Sequence, residues 1–459
     1  MIDRTLLRRT AELAAEHLEA VGERHAGPLA GHAELRSVLG GALPQRGEPA
    51  GDVIEALARD AGPGLVASPG PRYFGFVTGG ALPAALAADW LASAWDQNAF
   101  SAVSSPAAAV VEEVACGWLL ELLGLPADSG VGLTTGAQMA NVTGLAAARS
   151  ALLARAGWDV EERGLNGAPP LRVLAGEEAH VTVWRALRLL GFGRSAVEVV
   201  RADGQGAMRA DALASALAAD DAAAIVCAQA GNVNTGAIDP LADIVTAARE
   251  HGAWVHVDGA FGLWAAASPA LAGLVAGVGE ADSWATDGHK WLNVPYVCGV
   301  VAVRDRAAHA AAMGMTASYL VRTGDEDRSN SDWVPEASRR GRGFAVYAAL
   351  RSLGRDGVAE LVERCCALAA RLASAVGEAE GAEVINDVTL NQVLLRFGDD
   401  DAVTDAVISR VQADGTCWVG GTRWRGEAAM RVSISNWSTT EADIDRTAEA
   451  ILAAVSTSD

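Results

Sequence analysis

Lys290 is the residue of this chain whose type and setting most directly suggest covalent chemistry. It lies between His289 and Trp291 in the stretch ATDGHKWLN, and apolar runs flank that stretch on both sides. Burial disfavours the charged form of a lysine, and a neutral lysine amine is a nucleophile. Because such an amine usually forms a Schiff base with a carbonyl, we expect Lys290 to attach a carbonyl compound.

Asp258 is a second candidate because it closes the apolar run WVHVD and is followed by the small residues Gly259 and Ala260. A carboxylate at the mouth of a sheet can pair with a cationic ring nitrogen, and two small residues leave room for a flat ring. An aspartate at this position can equally cap a helix.

Polar residues follow three further apolar runs. Gly136, Ala137 and Gln138 form a turn that opens a helix, and the free N–H groups of such a turn suit a phosphate. His180 begins a helix, where an imidazole either caps the helix or stacks on an aromatic ring. Asn232 lies in a glycine-rich turn. Each residue alone also fits an ordinary structural role.

Taken together, these positions match one cofactor. A phosphate cradle, a stacking histidine, a carboxylate for a ring nitrogen and a lysine amine are the groups that hold pyridoxal 5'-phosphate (PLP). The chain has no G-x-G-x-x-G between a strand and a helix and no Gly-Lys-Ser/Thr loop, which disfavours dinucleotide and nucleoside-triphosphate binding.

The elements that must position these residues alternate between short apolar runs and helical patterns. This alternation predicts an α/β fold with a mostly parallel sheet covered on both faces, and ligands of such sheets bind beyond the carboxyl ends of the strands. We predict a helical arm over residues 1–65, a large domain over 66–345 and a smaller α+β domain over 346–459. The seven predicted strands are VGLTT, LRVLAG, AVEVV, AAIVCAQ, WVHVD, DSWATD and VCGVVAV.

Composition excludes several classes of partner. The 459 residues carry a net charge of −21, which disfavours nucleic acid and anionic membranes. Six scattered cysteines without a C-x-x-C pair favour a reduced, cytoplasmic protein without disulfides or a metal site. The N-terminus lacks the apolar core of a signal peptide, and no window is long and apolar enough to span a membrane.

The chain resembles the group II PLP-dependent decarboxylases, whose members include aromatic-L-amino-acid, glutamate and cysteine-sulfinate decarboxylases. The resemblance runs from about residue 70 to the C-terminus and is most specific in the HVD and HKWLN elements. It implies fold type I, the aspartate aminotransferase-like fold, with a seven-stranded mostly parallel sheet. It also implies a homodimer with the active site at the interface. The stretches that carry it are RYFGFVTGG, TTGAQMANVTGL, AHVTVWRALRLLG, AGNVNTGAIDP, WVHVDGAFG, DGHKWLNVPYVCG and PEASRRGRGFAVYAALRSLGRDG.

The same resemblance implies a role for each candidate. Lys290 is similar to the Schiff-base lysine, Asp258 to the partner of the pyridine nitrogen, and His180 to the histidine that stacks on the ring and helps move a proton. The positions similar to other cofactor contacts are Ala260 beneath the ring, Asn232 beside it, and Gly136, Ala137, Gln138 and His289 at the phosphate.

Two departures from the family pattern bear on the chemistry. The family often has asparagine three residues before its lysine, whereas this chain has Asp287, whose charge repels a phosphate unless the side chain turns away or pairs. Aromatic decarboxylases have a proton-donating tyrosine three residues before a loop tryptophan. Aligning that tryptophan with Trp333 places Asn330 at the tyrosine position, which leaves Tyr319 or His180 as the candidate proton donor.

The expected activity is PLP-dependent decarboxylation of an L-amino acid to the amine and CO2. Phe76 and Phe100 near the entry favour an aromatic or apolar substrate, whereas a cluster of arginines could instead bind an acidic one. The alternatives are an oxygen-dependent aldehyde synthase, a carbon–carbon lyase and an aminotransferase. The arginines are Arg339, Arg340 and Arg342.

Overall fold

The computed structural model describes residues 3–315 and 329–456. They form two compact units, each with its own sheet. One unit contains the described residues of 79–367 together with 386–392, and the other contains residues 3–78, 368–385 and 393–456. The compact units combine residues from distant parts of the chain, whereas the predicted arm, large domain and small domain are consecutive segments. The three-segment division stays a prediction.

The first unit is built on a seven-stranded sheet with the spatial order β1-β7-β6-β5-β4-β2-β3. Strand β7 runs antiparallel to both of its neighbours, and the remaining pairings within β2 to β6 are parallel. The expected mostly parallel sheet is therefore confirmed. The strands are β1 (Gly130–Thr134), β2 (Arg172–Gly176), β3 (Val197–Val200), β4 (Ala224–Gln229), β5 (Trp254–Asp258), β6 (Ser283–Asp287) and β7 (Gly299–Val303).

Most of these strands are buried along their whole length, which is why they appear in the sequence as nearly continuous apolar runs. The helices that the described part of the chain carries are α1 (Arg4–Ala20), α2 (His32–Leu39), α3 (Ala50–Ala61), α4 (Pro83–Trp95), α5 (Pro106–Leu122), α6 (Ala137–Arg155), α7 (Val160–Arg163), α8 (Val181–Leu189), α9 (Ala210–Ala218), α10 (Leu241–Glu250), α11 (Arg306–Met313), α12 (Gly343–Gly377), α13 (Asp401–Asp414) and α14 (Glu441–Ser456).

The long helix α12 is interrupted at Gly354, whose φ of 64° lies in the left-handed region that glycine adopts at low cost. In the second unit a four-stranded sheet has the order β10-β11-β9-β8, and Tyr73 stacks on Trp418 at a centroid distance of 6.2 Å. The strands of that sheet are β8 (Ala382–Val384), β9 (Gln392–Phe397), β10 (Gly420–Trp424) and β11 (Glu427–Ser433).

Candidate active site

The candidate residues gather at the carboxyl edge of the seven-stranded sheet. In the parallel register Gln229 and Asp258, the last residues of β4 and β5, lie level with Ala285 of β6, two residues before that strand ends. Helices α6 and α8 begin immediately after β1 and β2, so their first turns open at the same edge. Parallel strand order thus brings together residues that lie more than a hundred positions apart.

Lys290 follows β6 and is the only lysine in the sequence. Its side chain is 19% exposed, and its Nζ lies 3.1 Å from Oδ2 of Asp287. The neighbouring residues Trp291 and Leu292 are fully buried, as the sequence indicated. The amine is therefore partly buried but faces a carboxylate, rather than a wholly apolar surrounding.

Asp287 pairs instead of turning away. Its Oδ1 accepts a hydrogen bond of 2.6 Å from the backbone N of Ala137, the first residue of α6, while Oδ2 faces Lys290. An anion at a helix N-terminus is stabilised by the exposed N–H groups and the helix dipole. The carboxylate thus contacts one of the amides predicted to bind phosphate.

His289 is held by both of its ring nitrogens. Nδ1 accepts from the backbone N of Cys298 at 3.2 Å, so the proton of the neutral ring is on Nε2, which lies 3.5 Å from Oδ1 of Asp287. Burial lowers the pKa of His289 below its ordinary value, and the opposing effect of Asp287 is smaller. The contact with Asp287 is therefore that of a neutral imidazole.

Asp258 ends β5 with only 3% of its surface exposed. Its Oδ2 accepts from Nδ2 of Asn141 at 3.1 Å, and its Oδ1 accepts from the backbone N of Ala260 at 3.2 Å. Burial raises the pKa of this carboxyl, whereas His180, Lys290 and the Asn141 hydrogen bond act in the opposite direction. For Asp258 to be the anionic partner of a cationic ring nitrogen, the groups that lower its pKa must offset the effect of burial.

His180 is the N-cap of α8, one of the two roles that the sequence left open. Its Nδ1 lies 2.7 Å from Oγ1 of Thr182, and its backbone N donates to Oε1 of Gln229 at 3.1 Å. Stacking on a ring stays a prediction. Of the groups that oppose the effect of burial on the pKa of Asp258, His180 contributes most.

The remaining cofactor candidates have local partners. The Nε2 of Gln138 donates to the Thr182 carbonyl at 3.2 Å, and Oδ1 of Asn232 accepts from the backbone N of Asn234 and Thr235. Ala260 and Gly136 are placed at strand ends as predicted from the sequence, and their cofactor contacts stay predictions.

The predicted pocket and loop residues differ in exposure and in the unit to which they belong. Phe76 is 74% exposed and belongs to the second unit, whereas Phe100 is half-buried in the first, and their pocket role stays a prediction. Tyr319 lies outside the described residues. Asn330 is fully buried and starts a short 3-10 turn ending at Asp332.

Sequence reasoning missed Asn141 and His256, both fully buried beside Asp258. The available signal was the alternation W-x-H-x-D in β5, since residues two apart share one face of a strand. A buried histidine two residues before the candidate carboxylate was therefore predictable, whereas the asparagine from α6 needed the packing of helix on sheet.

The donor set fits PLP. A single lysine amine, a buried carboxylate with its own hydrogen-bond donors, and the N-terminal amides of α6 lie at one sheet edge. Those are the three functions that the aldehyde, the pyridine nitrogen and the phosphate require. Among the described residues no cluster of His, Cys, Asp and Glu has the arrangement of a metal site. No described helix combines the length and hydropathy of a membrane span.

Comparison with known proteins gives the class. Residues 33–397 match the pyridoxal-dependent decarboxylase conserved domain. Because this match covers most of the chain, the protein belongs to the pyridoxal-dependent decarboxylases, a family of PLP-dependent carboxy-lyases.

Three similar proteins illustrate the relationship. L-tyrosine/L-DOPA decarboxylase 2 of Lophophora williamsii is 28% identical over 70% of this chain, and the match spans 63% of that relative, less than two thirds of its length. Aromatic-L-amino-acid decarboxylase of Sus scrofa is 29% identical over 92% of this chain and 89% of the relative. The crystal structure of Oryza sativa TDC with PLP and tryptamine superposes with a TM-score of 0.92 at 25% identity, covering 99% of this chain and 97% of the other.

Proposed function

We propose that this protein releases CO2 from an aromatic or apolar L-amino acid, with PLP attached to Lys290. The observation that carries the proposal concerns the only lysine of the 459 residues. It lies at the sheet edge where β5 ends in Asp258 and where α6 begins. When bound, PLP supplies an electron sink for the carbanion that decarboxylation leaves.

The side chains then have distinct tasks. Asp258, kept anionic, holds a proton at the ring nitrogen. The amides of Gly136, Ala137 and Gln138 bind the phosphate, for which Asp287 must release the Ala137 amide. His180 covers the ring and relays a proton. Placing these groups in advance is what lets them stabilise a developing charge without reorganisation.

The arginines favour an aromatic over an acidic substrate because each already has an acidic partner. Arg339 forms two hydrogen bonds of 2.8 and 2.6 Å with Glu112, and both side chains are almost fully buried. Arg340 pairs with Asp89 at 2.9 Å, and Arg342 lies 3.7 Å from Glu336. Releasing a buried arginine to bind a substrate carboxylate would leave a buried, uncompensated acid. The aromatic substrate named for the Sus scrofa relative supports the same choice.

Asn330 supports a second candidate activity, oxygen-dependent formation of an aldehyde. An amide cannot supply the proton that a tyrosine hydroxyl at this position would supply. The substrate carbanion can then be oxidised by O2, and addition of water releases the aldehyde, ammonia and hydrogen peroxide besides CO2. We expect Asn330→Tyr to raise the amine-to-aldehyde ratio several-fold, measured by chromatography of products with peroxide assayed in parallel. An unchanged ratio would place the proton donor elsewhere, with Tyr319 and His180 next to be substituted.

We also propose a homodimer in the cytoplasm. Six cysteines are free thiols, which suits a reducing compartment. Helices α1 and α3 of one unit, and α4 and α5 of the other, each expose large apolar side chains, which supports contact with a second copy. These side chains are Leu7 (58%), Val53 (45%), Leu57 (54%), Trp90 (44%), Trp95 (49%) and Val110 (57%). Light scattering of the purified protein at micromolar concentration tests the dimer.

The attachment of PLP is tested by borohydride reduction followed by peptide mapping. We expect one pyridoxyl group per chain, on Lys290, and a colourless Lys290→Ala variant after dialysis. A matched control is the double variant Lys290→Ala/Arg59→Lys, which places an amine at an exposed position, where the Arg59 side chain is 70% exposed. Labelling of that surface lysine to the same extent would show that attachment needs no site, and would contradict the proposal.

A further inference from the structure

Behind Asp258 the side chains of α6, β5 and β6 form one continuous hydrogen-bond chain. Nε1 of Trp254 lies 2.9 Å from Oγ of Ser283, which lies 2.8 Å from Nδ1 of His256. Nε2 of His256 lies 2.9 Å from Oδ1 of Asn141, whose Nδ2 is 3.1 Å from Oδ2 of Asp258. All five residues are at most 3% exposed, so water does not compete for these bonds.

The register of the sheet explains why these residues meet. Trp254, His256 and Asp258 alternate along β5 and share one face, and His256 pairs in register with Ser283 of β6. Helix α6 packs on both strands and brings Asn141 to the same face. One turn further along α6, a Cβ added to Gly144 would approach His256 to 2.8 Å, so a glycine is needed for the imidazole to fit.

The chemistry of the end groups fixes the direction of the chain. An indole N–H only donates, so Ser283 Oγ accepts from Trp254 and its own hydroxyl proton is available to His256 Nδ1. At the other end an ionised carboxylate only accepts, so Asn141 directs its NH2 group to Asp258 and its carbonyl oxygen to His256. The carboxylate end requires the neutral His256 tautomer with the proton on Nε2, and the tryptophan end leaves the serine hydroxyl able to donate to Nδ1 of that same tautomer.

The alternative direction fits the surroundings less well. A protonated Asp258 would donate to Asn141, whose amide would have to rotate and present its NH2 group to His256. The imidazole would then move its proton to Nδ1 and donate to Ser283, and the serine hydroxyl would lose the histidine as its acceptor. Ionised Asp258 is thus the state in which the four bonds form and the serine hydroxyl proton also has an acceptor within the chain.

We propose that Trp254, Ser283, His256 and Asn141 are positioning residues that hold the Asp258 carboxylate ionised, so that a proton stays on the ring nitrogen of bound PLP. The inference rests on the proposed attachment of PLP but does not depend on which amino acid is the substrate.

The test uses holoenzyme loaded with PLP that is labelled with 15N in its ring, and it needs no substrate. In the wild-type protein the ring nitrogen should resonate at the shift of a protonated pyridinium. Asn141→Leu keeps the size of the side chain but removes the bond to Asp258, and should move the shift towards the unprotonated value at pH 7. Turnover should fall about tenfold or more, because lowering the pKa of the ring nitrogen by one unit changes the ratio of protonated to unprotonated cofactor by a factor of ten.

Thr143→Val is the matched control, since Thr143 is also buried in α6 but its hydroxyl donates to the Met139 carbonyl within the helix. It should leave the shift unmoved. Asp258→Asn distinguishes the proposed role of Asp258 from the proposed role of the residues behind it. If it leaves the shift unmoved, Asp258 is not the ring-nitrogen partner and the proposed cofactor geometry fails. If Asp258→Asn moves the shift but Asn141→Leu does not, the positioning proposal alone is overturned.

A wild-type measurement covers the case in which Asn141→Leu does not fold. In protein labelled with 15N-histidine, the signal that disappears in His256→Gln should show a neutral ring protonated on Nε2 between pH 6 and 8. A ring protonated on Nδ1, or on both nitrogens, would overturn the proposed direction of the chain.

Discussion

Asp258 and Asp287 are the same residue type, each is the last residue of its strand, β5 or the neighbouring β6, and both are buried. Their surroundings differ. Asp287 pairs with Lys290 at 3.1 Å and accepts from the first amide of α6, whereas Asp258 is held by neutral donors, Asn141 and the Ala260 amide. A carboxylate whose hydrogen bonds are to neutral groups is available to pair with a further cation, whereas Asp287 already pairs with a lysine amine.

The largest effect expected from this comparison is that of Asp258→Asn. The change keeps the shape of the side chain and removes the charge that holds a proton on the ring nitrogen. Loss of one preorganised electrostatic group typically lowers kcat by about 100- to 1000-fold. Steady-state kinetics should show this loss while absorbance of the dialysed protein shows that PLP is still bound. Near-normal turnover would remove Asp258 from the assigned role.

Asp287→Asn should have a smaller effect. The amide oxygen can still accept from Ala137, but a negative charge near the predicted phosphate contacts is gone. We expect PLP to bind about tenfold more tightly, equal to about 1.4 kcal/mol, with kcat changed by less than about tenfold. Fluorescence titration of apoprotein with PLP measures the affinity. A loss of turnover as large as that of Asp258→Asn would show that the two aspartates are not divided in this way.

The smallest effect concerns stability and pH. Burial lowers the pKa of His256 to about 3, whereas an unfolded chain has an ordinary histidine. Between pH 6.5 and 3 the unfolded state therefore binds a proton that the folded state does not, and the stabilising contribution present above pH 6.5 is lost as pH falls. This costs about 1.4 kcal/mol per pH unit. Urea unfolding at pH 6, 5 and 4 should show a shallower decline for His256→Gln than for the wild type, and parallel declines would contradict a neutral, buried His256.

Much of the fold was predictable because buried parallel strands and amphipathic helices leave local patterns. Each of the seven predicted runs overlaps one strand of the large sheet, and His180 precedes α8 as expected. The division into compact units was less accessible, because residues 3–78 group with chain more than 280 positions later, and no local pattern encodes that pairing.

The candidate site shows the same limit. Lys290 and Asp258 stand out because charged residues at the ends of apolar runs are unusual. The pairing of Asp287 with the Ala137 amide joins residues 150 positions apart, and so could only be posed as one of two possibilities. Asn141 is one polar residue within an alanine-rich helix, and its role depends on which face of α6 meets the sheet.

The most direct test of the central claim is CO2 release by the holoenzyme from two sets of L-amino acids, with kcat/KM determined for each. One set is tryptophan, tyrosine, phenylalanine and DOPA, and the other is glutamate, aspartate and cysteine sulfinate. Because Arg339, Arg340 and Arg342 already have acidic partners, we predict that the best aromatic substrate exceeds every acidic one by at least about a hundredfold. Preference for an acidic substrate, or no CO2 from either set by protein that retains PLP on Lys290, would contradict the account.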